Sequence, residues 1–201
     1  KFIIKKRKQI KKIIFCSVVP EKYKTINFFL KKKLKISSIE LKQINIKKMI
    51  KIKVNKKQIG SDRLANALSV SNKINNYIII DFGTATTFDV VKKNIYLGGI
   101  IAPGIELSLK NLSNNASLIP KIKFIKSKKV LGKNTKDSVN SGFFWGYTGL
   151  INNIIKLIMR ETKNKYKIIL TGGLAHLLKD AINYKCNVDK DITLKGLIRL
   201  I

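Results

Sequence analysis

Two short stretches of this chain carry residue types suited to handling a phosphorylated nucleotide and an alcohol. Asp81-Phe-Gly-Thr-Ala-Thr-Thr-Phe-Asp89 places a carboxylate at the end of an apolar run, a glycine in the turn that follows, and three threonines close behind. Gly83 lets main-chain N–H groups point at phosphate oxygens, Thr84 and its neighbours can donate hydroxyl hydrogen bonds, and Asp81 can hold a cation that offsets phosphate charge. The same residues also suit an ordinary hairpin turn. Gly60-Ser61-Asp62-Arg63 opens a helical pattern. There Asp62 serves either as an N-terminal cap or as the carboxylate that accepts a hydroxyl proton, with Arg63 offsetting substrate charge. Thr171-Gly172-Gly173 either lets a flat adenine or ribose approach the main chain or makes a plain strand-to-helix turn.

Other patterns fail as sites. Asp81-Phe82-Gly83 has neither the glycine-rich loop nor the His-Arg-Asp loop of a protein kinase. Gly132-Lys133-Asn134-Thr135 resembles the end of a P-loop, yet Ser127 stands where its first glycine belongs and Asn134 where Ser or Thr must meet magnesium. Cys16 and Cys186 form no Cys-x-x-Cys pair, so neither a zinc site nor a disulfide framework is encoded and a reducing compartment fits. His176 has no second His or Cys nearby and reads as a helix-surface or packing residue.

The elements that must position these residues follow from apolar spacing. Gln9 to Val19 reads as a buried strand leaving its sheet at Pro20, and Glu21 to Leu34 as an amphipathic helix with Tyr23, Ile26, Phe29 and Leu30 on one face. Ile36 to Val54 alternates loosely as short strands, and Arg63 to Val70 is helical. Tyr77–Asp81, Ala85–Val91 and Ile95–Ile101 form an antiparallel meander, broken by Ala102-Pro103-Gly104, after which Ile105, Leu109 and Leu112 keep a helical period. Ser141 to Ile158 is a longer helix. Its Gly142, Gly146 and Gly149 cost about 1 kcal/mol each against alanine and so point to close backbone approach. Tyr166–Leu170 is a buried strand, and a helix starts at Leu174. Strands that alternate with helices after a meander make an α/β chain.

Composition excludes several classes. With 201 residues and 45% hydrophobic content the chain is neither disordered nor, with 3 prolines and 12 glycines, collagenous. No apolar run reaches the roughly 20 residues of a membrane span. The opening Lys-Phe-Ile-Ile-Lys-Lys-Arg-Lys lacks the unbroken core of an export signal, so a cytoplasmic location is expected. A balance of 42 basic against 11 acidic residues, net +31, raises a polyanion partner. The cations are nearly all lysine, with arginine only at Arg7, Arg63, Arg160 and Arg199, and abundant Lys, Ile and Asn fit an AT-rich coding bias. Nucleic acid is therefore not the expected partner.

Taken in order, Gly60-Ser-Asp-Arg-Leu-Ala-Asn-Ala, Asp81-Phe-Gly-Thr-Ala-Thr-Thr-Phe-Asp, Gly98-Gly-Ile-Ile-Ala-Pro-Gly, Gly132-Lys-Asn-Thr and Thr171-Gly-Gly-Leu-Ala closely resemble the type III pantothenate kinases, from Ser17-Val-Val-Pro20 to Leu194-Lys-Gly-Leu197. The resemblance implies an α/β fold of actin-like ATPase (ribonuclease H-like) lobes, with mixed sheets flanked by helices. Residues 1–72 would be the remainder of an incomplete N-terminal lobe with the substrate motif, and 73–201 the C-terminal lobe. It implies ATP-dependent phosphorylation of pantothenate, with magnesium accompanying ATP, and a homodimer whose surface would include Ser141 to Ile158. By likeness Asp62 is the proton acceptor, and Gly60, Ser61, Arg63 and Thr135 join it in binding pantothenate. Thr84, with Gly83, Gly172 and Gly173, contacts ATP, and Asp81 is the ligand of a potassium or ammonium ion. Two departures stand out. No Asp-x-Gly-Asn-Thr loop precedes Ser17, which leads us to expect weak activity from these residues alone. Where many relatives carry a tyrosine and a proline before Gly60, this chain has Lys53 and Lys56, or Val54 in the tyrosine's place on a segment one residue shorter. A non-catalytic regulatory homologue and a polyanion-binding protein on the same fold are the competing readings.

Overall fold

The structure, a computed structural model, describes residues 9, 10 and 13–201. In chain order its elements are β1 (Ile13–Phe15), α1 (Pro20–Phe29), β2 (Ser38–Glu40), β3 (Lys51–Ile52), α2 (Ser61–Val70), β4 (Asn76–Phe82), β5 (Ala85–Lys92), β6 (Ile95–Pro103), α3 (Ile105–Asn115), α4 (Thr135–Thr162), β7 (Lys167–Gly172), α5 (Ala175–Leu178), β8 (Cys186–Val188) and α6 (Ile192–Ile198). They fall into two compact units. Unit 1 holds the chain up to Ser71 with Asn94–Tyr96 and Asp191–Ile201, and unit 2 holds Asn72–Lys93 and Leu97–Lys190. The final eleven residues thus pack with the N-terminal segment rather than with the rest of 73–201.

In unit 1, β1 and β2 pair in parallel with Phe15 beside Glu40. β1 is half-buried rather than buried and ends at Phe15, while residues 11 and 12 of the expected strand lie outside the described ones. Pro20 opens α1 instead of closing a strand, because its fixed φ and missing N–H suit a first helical turn. None of the ten α1 residues is buried, and Ile26 and Phe29 are exposed, contrary to the expected apolar face. The burial falls instead on Leu30, Leu34 and Ile36, which cluster with Ile10, Ile13 and Phe15. Between Ile36 and Val54 only Ser38–Glu40 and Lys51–Ile52 are strands; a short 3-10 turn, Leu41–Gln43, interrupts the expected alternation.

Helix α2 is the best-packed part of unit 1. Leu64, Ala65, Ala67 and Leu68 are fully buried, and α6 lies against it. Contact is close because Gly196 has no side chain: a Cβ there would overlap the carbonyl oxygen of Ala65. The Arg199 guanidinium donates to the carbonyls of Leu68 (2.5 Å) and Ser71 (2.6 Å), which satisfies the C-terminal end of α2 with a cation.

Unit 2 is built on the meander. β4 and β5 pair antiparallel from Asn76 beside Lys92 to Phe82 beside Thr86, β7 joins β4 in parallel, and β8 joins β7. Alternation sends Ile78, Ile80 and Phe82, with Phe88 and Val90, into a core shared with Ile105 and Leu109 of α3 and Phe144, Ile151, Ile155 and Ile158 of α4. Asp81, Thr87 and Thr171 sit beside one another in register and face the other way.

Three expectations change here. α4 begins at Thr135 rather than Ser141, since the Asn134 side chain caps it by accepting from Asp137 N (2.9 Å). A Cβ added at Gly142, Gly146 or Gly149 would meet nothing within 4 Å, so these glycines serve no close approach within the chain. β7 continues through Thr171 and Gly172, which are strand residues and not part of a turn.

Gly196→Ala should lower stability by about 1–3 kcal/mol through overpacking against α2. Urea unfolding would show a lower midpoint at constant slope, whereas an unchanged midpoint would mean that the two helices do not touch there.

Candidate active site

In unit 2, Gly83 and Thr84 form the two-residue connection between β4 and β5, closed by the Gly83 N–H donating to the Ala85 carbonyl (3.1 Å). Both residues are exposed. Gly83 has no positive φ, and a Cβ there would only touch the Ala85 carbonyl oxygen and Asp81 Oδ1, both at 3.8 Å, so its contribution is access to the main chain rather than an unusual backbone angle. Of the threonines behind it, Thr86 is buried and Thr87 half-buried, which leaves Thr84 as the hydroxyl at the turn.

The start of α3 lies against this turn. A Cβ at Gly104 would overlap the Thr84 carbonyl and come within 2.6 Å of the Gly83 carbonyl oxygen, so only glycine permits the approach. Tyr147 of α4 holds the junction, its hydroxyl bonding Ser108 Oγ (2.9 Å) and the Pro103 carbonyl (3.2 Å). The carbonyl oxygens of the turn thus face the start of α3, and the helix N-terminus, which favours anions, lies beside the turn. Beside them opens a cleft of about 480 Å³ lined by Phe82, Gly83, Thr84, Glu106, Leu107, Lys110, Gly173 and Leu174.

Asp81 is half-buried at the end of β4. The space that a Cβ at Gly172 would take lies 2.5 Å from the Phe82 carbonyl oxygen and 2.6 Å from Asp81 Oδ1, and Gly172 itself has φ +86°. A carboxylate oxygen and a main-chain carbonyl oxygen thus crowd around one glycine, a donor set that fits a hard cation. Gly173 is exposed beside Gly172 and lines the cleft. Among the described residues no group of three or more His, Cys, Asp and Glu could hold a metal ion, and His176 is exposed on α5.

In unit 1, Gly60 is the N-cap of α2, Ser61 is buried, and Asp62 and Arg63 are half-buried in the first turn. Asp62 does not cap the helix. Its Oδ1 accepts from the N–H of Arg63 (2.8 Å). Beneath it lies Glu40, a residue that motif reading missed. Its buried carboxylate accepts from Ser61 Oγ and from Lys42 N (2.6 Å), while Gln43 accepts from Glu40 N (3.2 Å). The spacing Glu40-x-x-Gln43 is a capping-box pattern and was the available signal. Burial, with Asp62 and Glu40 nearby, pushes the Cys16 thiol up to about 12. Lys56 donates to the carbonyls of Lys42 (3.1 Å) and Ile44 (3.2 Å).

Thr135 is exposed at the first turn of α4, in unit 2. The loop that delivers it is pinned by Ser141 Oγ on the Val130 carbonyl (2.5 Å) and by Asn140, which accepts from Ile125 N (3.0 Å). Gly132 is needed because a Cβ there would run into the Ser138 backbone. The structure also adds Glu106 and Lys110 to the cleft; Glu106 lies two residues after Gly104, but nothing in its spacing marked it.

The family model for type III pantothenate kinase matches residues 1–157. A type III pantothenate kinase of Pelagibacter ubique (strain HTCC1062) is 58% identical over 194 residues, covering 96% of this chain and 78% of that protein. One from Sulfurihydrogenibium sp. (strain YO3AOP1) is 39% identical, covering 94% and 75%. The crystal structure of a conserved Baf family protein from Campylobacter jejuni superposes with a TM-score of 0.64 at 20% identity, over 95% of this chain and 82% of that one, a likeness of fold.

The Cys16 environment can be read by alkylation. Iodoacetamide at pH 8 should modify Cys16 in the folded protein far more slowly than in the urea-unfolded chain, because the thiolate is the reactive form. Glu40→Gln removes one negative neighbour and should speed that reaction roughly two- to fivefold, with burial still holding the thiol up. Equal rates in folded and unfolded protein would show that this cluster does not form.

Proposed function

The chain belongs to the type III pantothenate kinase family, and from that premise we propose that it transfers the γ-phosphoryl group of ATP to pantothenate, yielding 4'-phosphopantothenate in the first step of coenzyme A synthesis. The observation that carries the reading is the convergence of the Gly83–Thr84 turn and the α3 N-terminus on one open cleft. Thr84 and the exposed main chain at Gly83 hold phosphate oxygens, and Gly172 and Gly173 give the nucleoside room against the main chain.

Asp62 receives the proton of the substrate hydroxyl. Its Oδ1 is engaged by the Arg63 N–H, so acceptance falls to Oδ2. As the hydroxyl oxygen bonds to the γ-phosphorus, the bond to the β,γ-bridging oxygen breaks and ADP leaves; positioning and charge compensation supply most of the rate. Gly60, Ser61, Arg63 and Thr135 contact pantothenate in this scheme. Asp81 and the Phe82 carbonyl hold a potassium or ammonium ion, which offsets phosphate charge, and magnesium accompanies ATP. Free Cys16 and Cys186 suit a cytoplasmic setting, and no helix among the described residues is long and apolar enough to cross a membrane.

A homodimer is part of the proposal. Gly142, Gly146 and Gly149 lie exposed on α4 with open space above them, beside the partly exposed Trp145 and Leu157, a surface that lets a second helix come close.

Two tests follow. Asp62→Asn should cut pantothenate-dependent ADP release by roughly 10²- to 10⁴-fold, and omission of potassium should lower it in the unmutated protein. Retained turnover in Asp62→Asn would remove the proton acceptor from this scheme. Gly146→Leu should shift a light-scattering mass toward the monomer, and an unchanged dimer would exclude the α4 face.

A further inference from the structure

The nucleotide cleft of unit 2 has one wall that phosphate binding does not explain. The first two turns of α3 contribute Glu106, Leu107 and Lys110 to it. Glu106 and Lys110 are four residues apart and project from the same side of the helix. A carboxylate lining a cleft for a polyphosphate repels the phosphate oxygens, and the repulsion grows as water is displaced. In the first turn of α3 the carboxylate complements the helix dipole, and within the cleft its oxygens call for hydrogen-bond donors to face them. An ionised carboxylate is an acceptor with two oxygens, and the part of a ribonucleotide that offers two adjacent hydroxyl donors is the ribose. Leu107, which is 44% exposed, and Leu174 supply apolar surface for a base in the same cleft. A volume of about 480 Å³ is within the range of small-molecule sites, roughly 300–1,000 Å³.

We propose that Glu106 is a specificity-determining residue that accepts hydrogen bonds from the vicinal ribose hydroxyls, while Lys110 offsets phosphate charge. The cleft then selects a ribonucleotide over a deoxyribonucleotide or a bare polyphosphate. This rests on the nucleotide reading of the cleft and adds to it the group that reads the sugar.

The test is equilibrium binding by calorimetry, with ATP, 2'-deoxy-ATP, 3'-deoxy-ATP and inorganic triphosphate as probes, so that turnover is not required. The unmutated protein should bind ATP roughly ten- to a hundredfold more tightly than either deoxynucleotide, the worth of a hydrogen bond to a charged group. Glu106→Ala should erase that preference while binding triphosphate as well as before or better, because a repelling charge is gone. Glu106→Gln should fall between the two. Lys110→Ala should weaken ATP and triphosphate alike. Equal loss of ATP and triphosphate in Glu106→Ala would reveal a merely structural role and overturn the proposal. An unmutated protein that binds ATP without discriminating the deoxynucleotides would overturn it too, leaving the nucleotide reading intact. Failure to bind any of the four probes would overturn both.

Discussion

The contact on which the candidate site depends is the approach of the α3 N-terminus to the turn between β4 and β5, possible only because position 104 has no side chain. Main-chain donors at a turn and at a helix start are each weak anion sites by themselves. Here the turn and the helix start are held side by side at the edge of a cleft that Glu106 and Lys110 also line, so the proposed phosphate site would need little rearrangement. Gly172 does the same on the neighbouring strand, where its bare Cα lets the Asp81 carboxylate and the Phe82 carbonyl close in. Gly83, the glycine most conspicuous in the motif, would meet only ordinary van der Waals contacts if it carried a Cβ, and it lies exposed at the turn.

Unit 1 treats its functional helix differently. Both ends of α2 are fixed by side chains from distant parts of the sequence, Glu40 through Ser61 at the start and Arg199 on the last carbonyls. Asp62 therefore sits on a helix whose position is set at both termini, an arrangement that would hold the proposed proton acceptor steady. In a chain of net charge +31 the acids are few, and several lie where they bear on the candidate sites: Glu40 and Asp62 in unit 1, Asp81 and Glu106 in unit 2. The exposed ion pair of Lys126 and Asp180 (2.9 Å) is by contrast screened by solvent and contributes little.

Glycine at different positions of this chain answers different needs, which composition alone does not separate. At Gly104, Gly132 and Gly196 a Cβ would strike backbone; on α4, three glycines meet nothing within the chain. The second pattern weakens the isolated helix by about 1 kcal/mol per glycine against alanine.

Local chemistry in the sequence was enough for the three strands of the meander and for the family motifs, because apolar period and turn residues act over a few neighbours. It set the start of α2 at Arg63 rather than Ser61 and the break at Ala102-Pro103-Gly104, where β6 runs on through Pro103. The same local reading misjudged α1, whose helical spacing is real while its apolar face stays exposed, since burial depends on what the rest of the chain brings to it. Only tertiary structure decided that Glu40 would lie under Ser61, that Gly196 would meet Ala65, and that Glu106 and Lys110 would share a cleft with Gly83. Such pairs are separated by many residues, so their meeting is fixed by strand register and helix packing, which no window along the sequence contains.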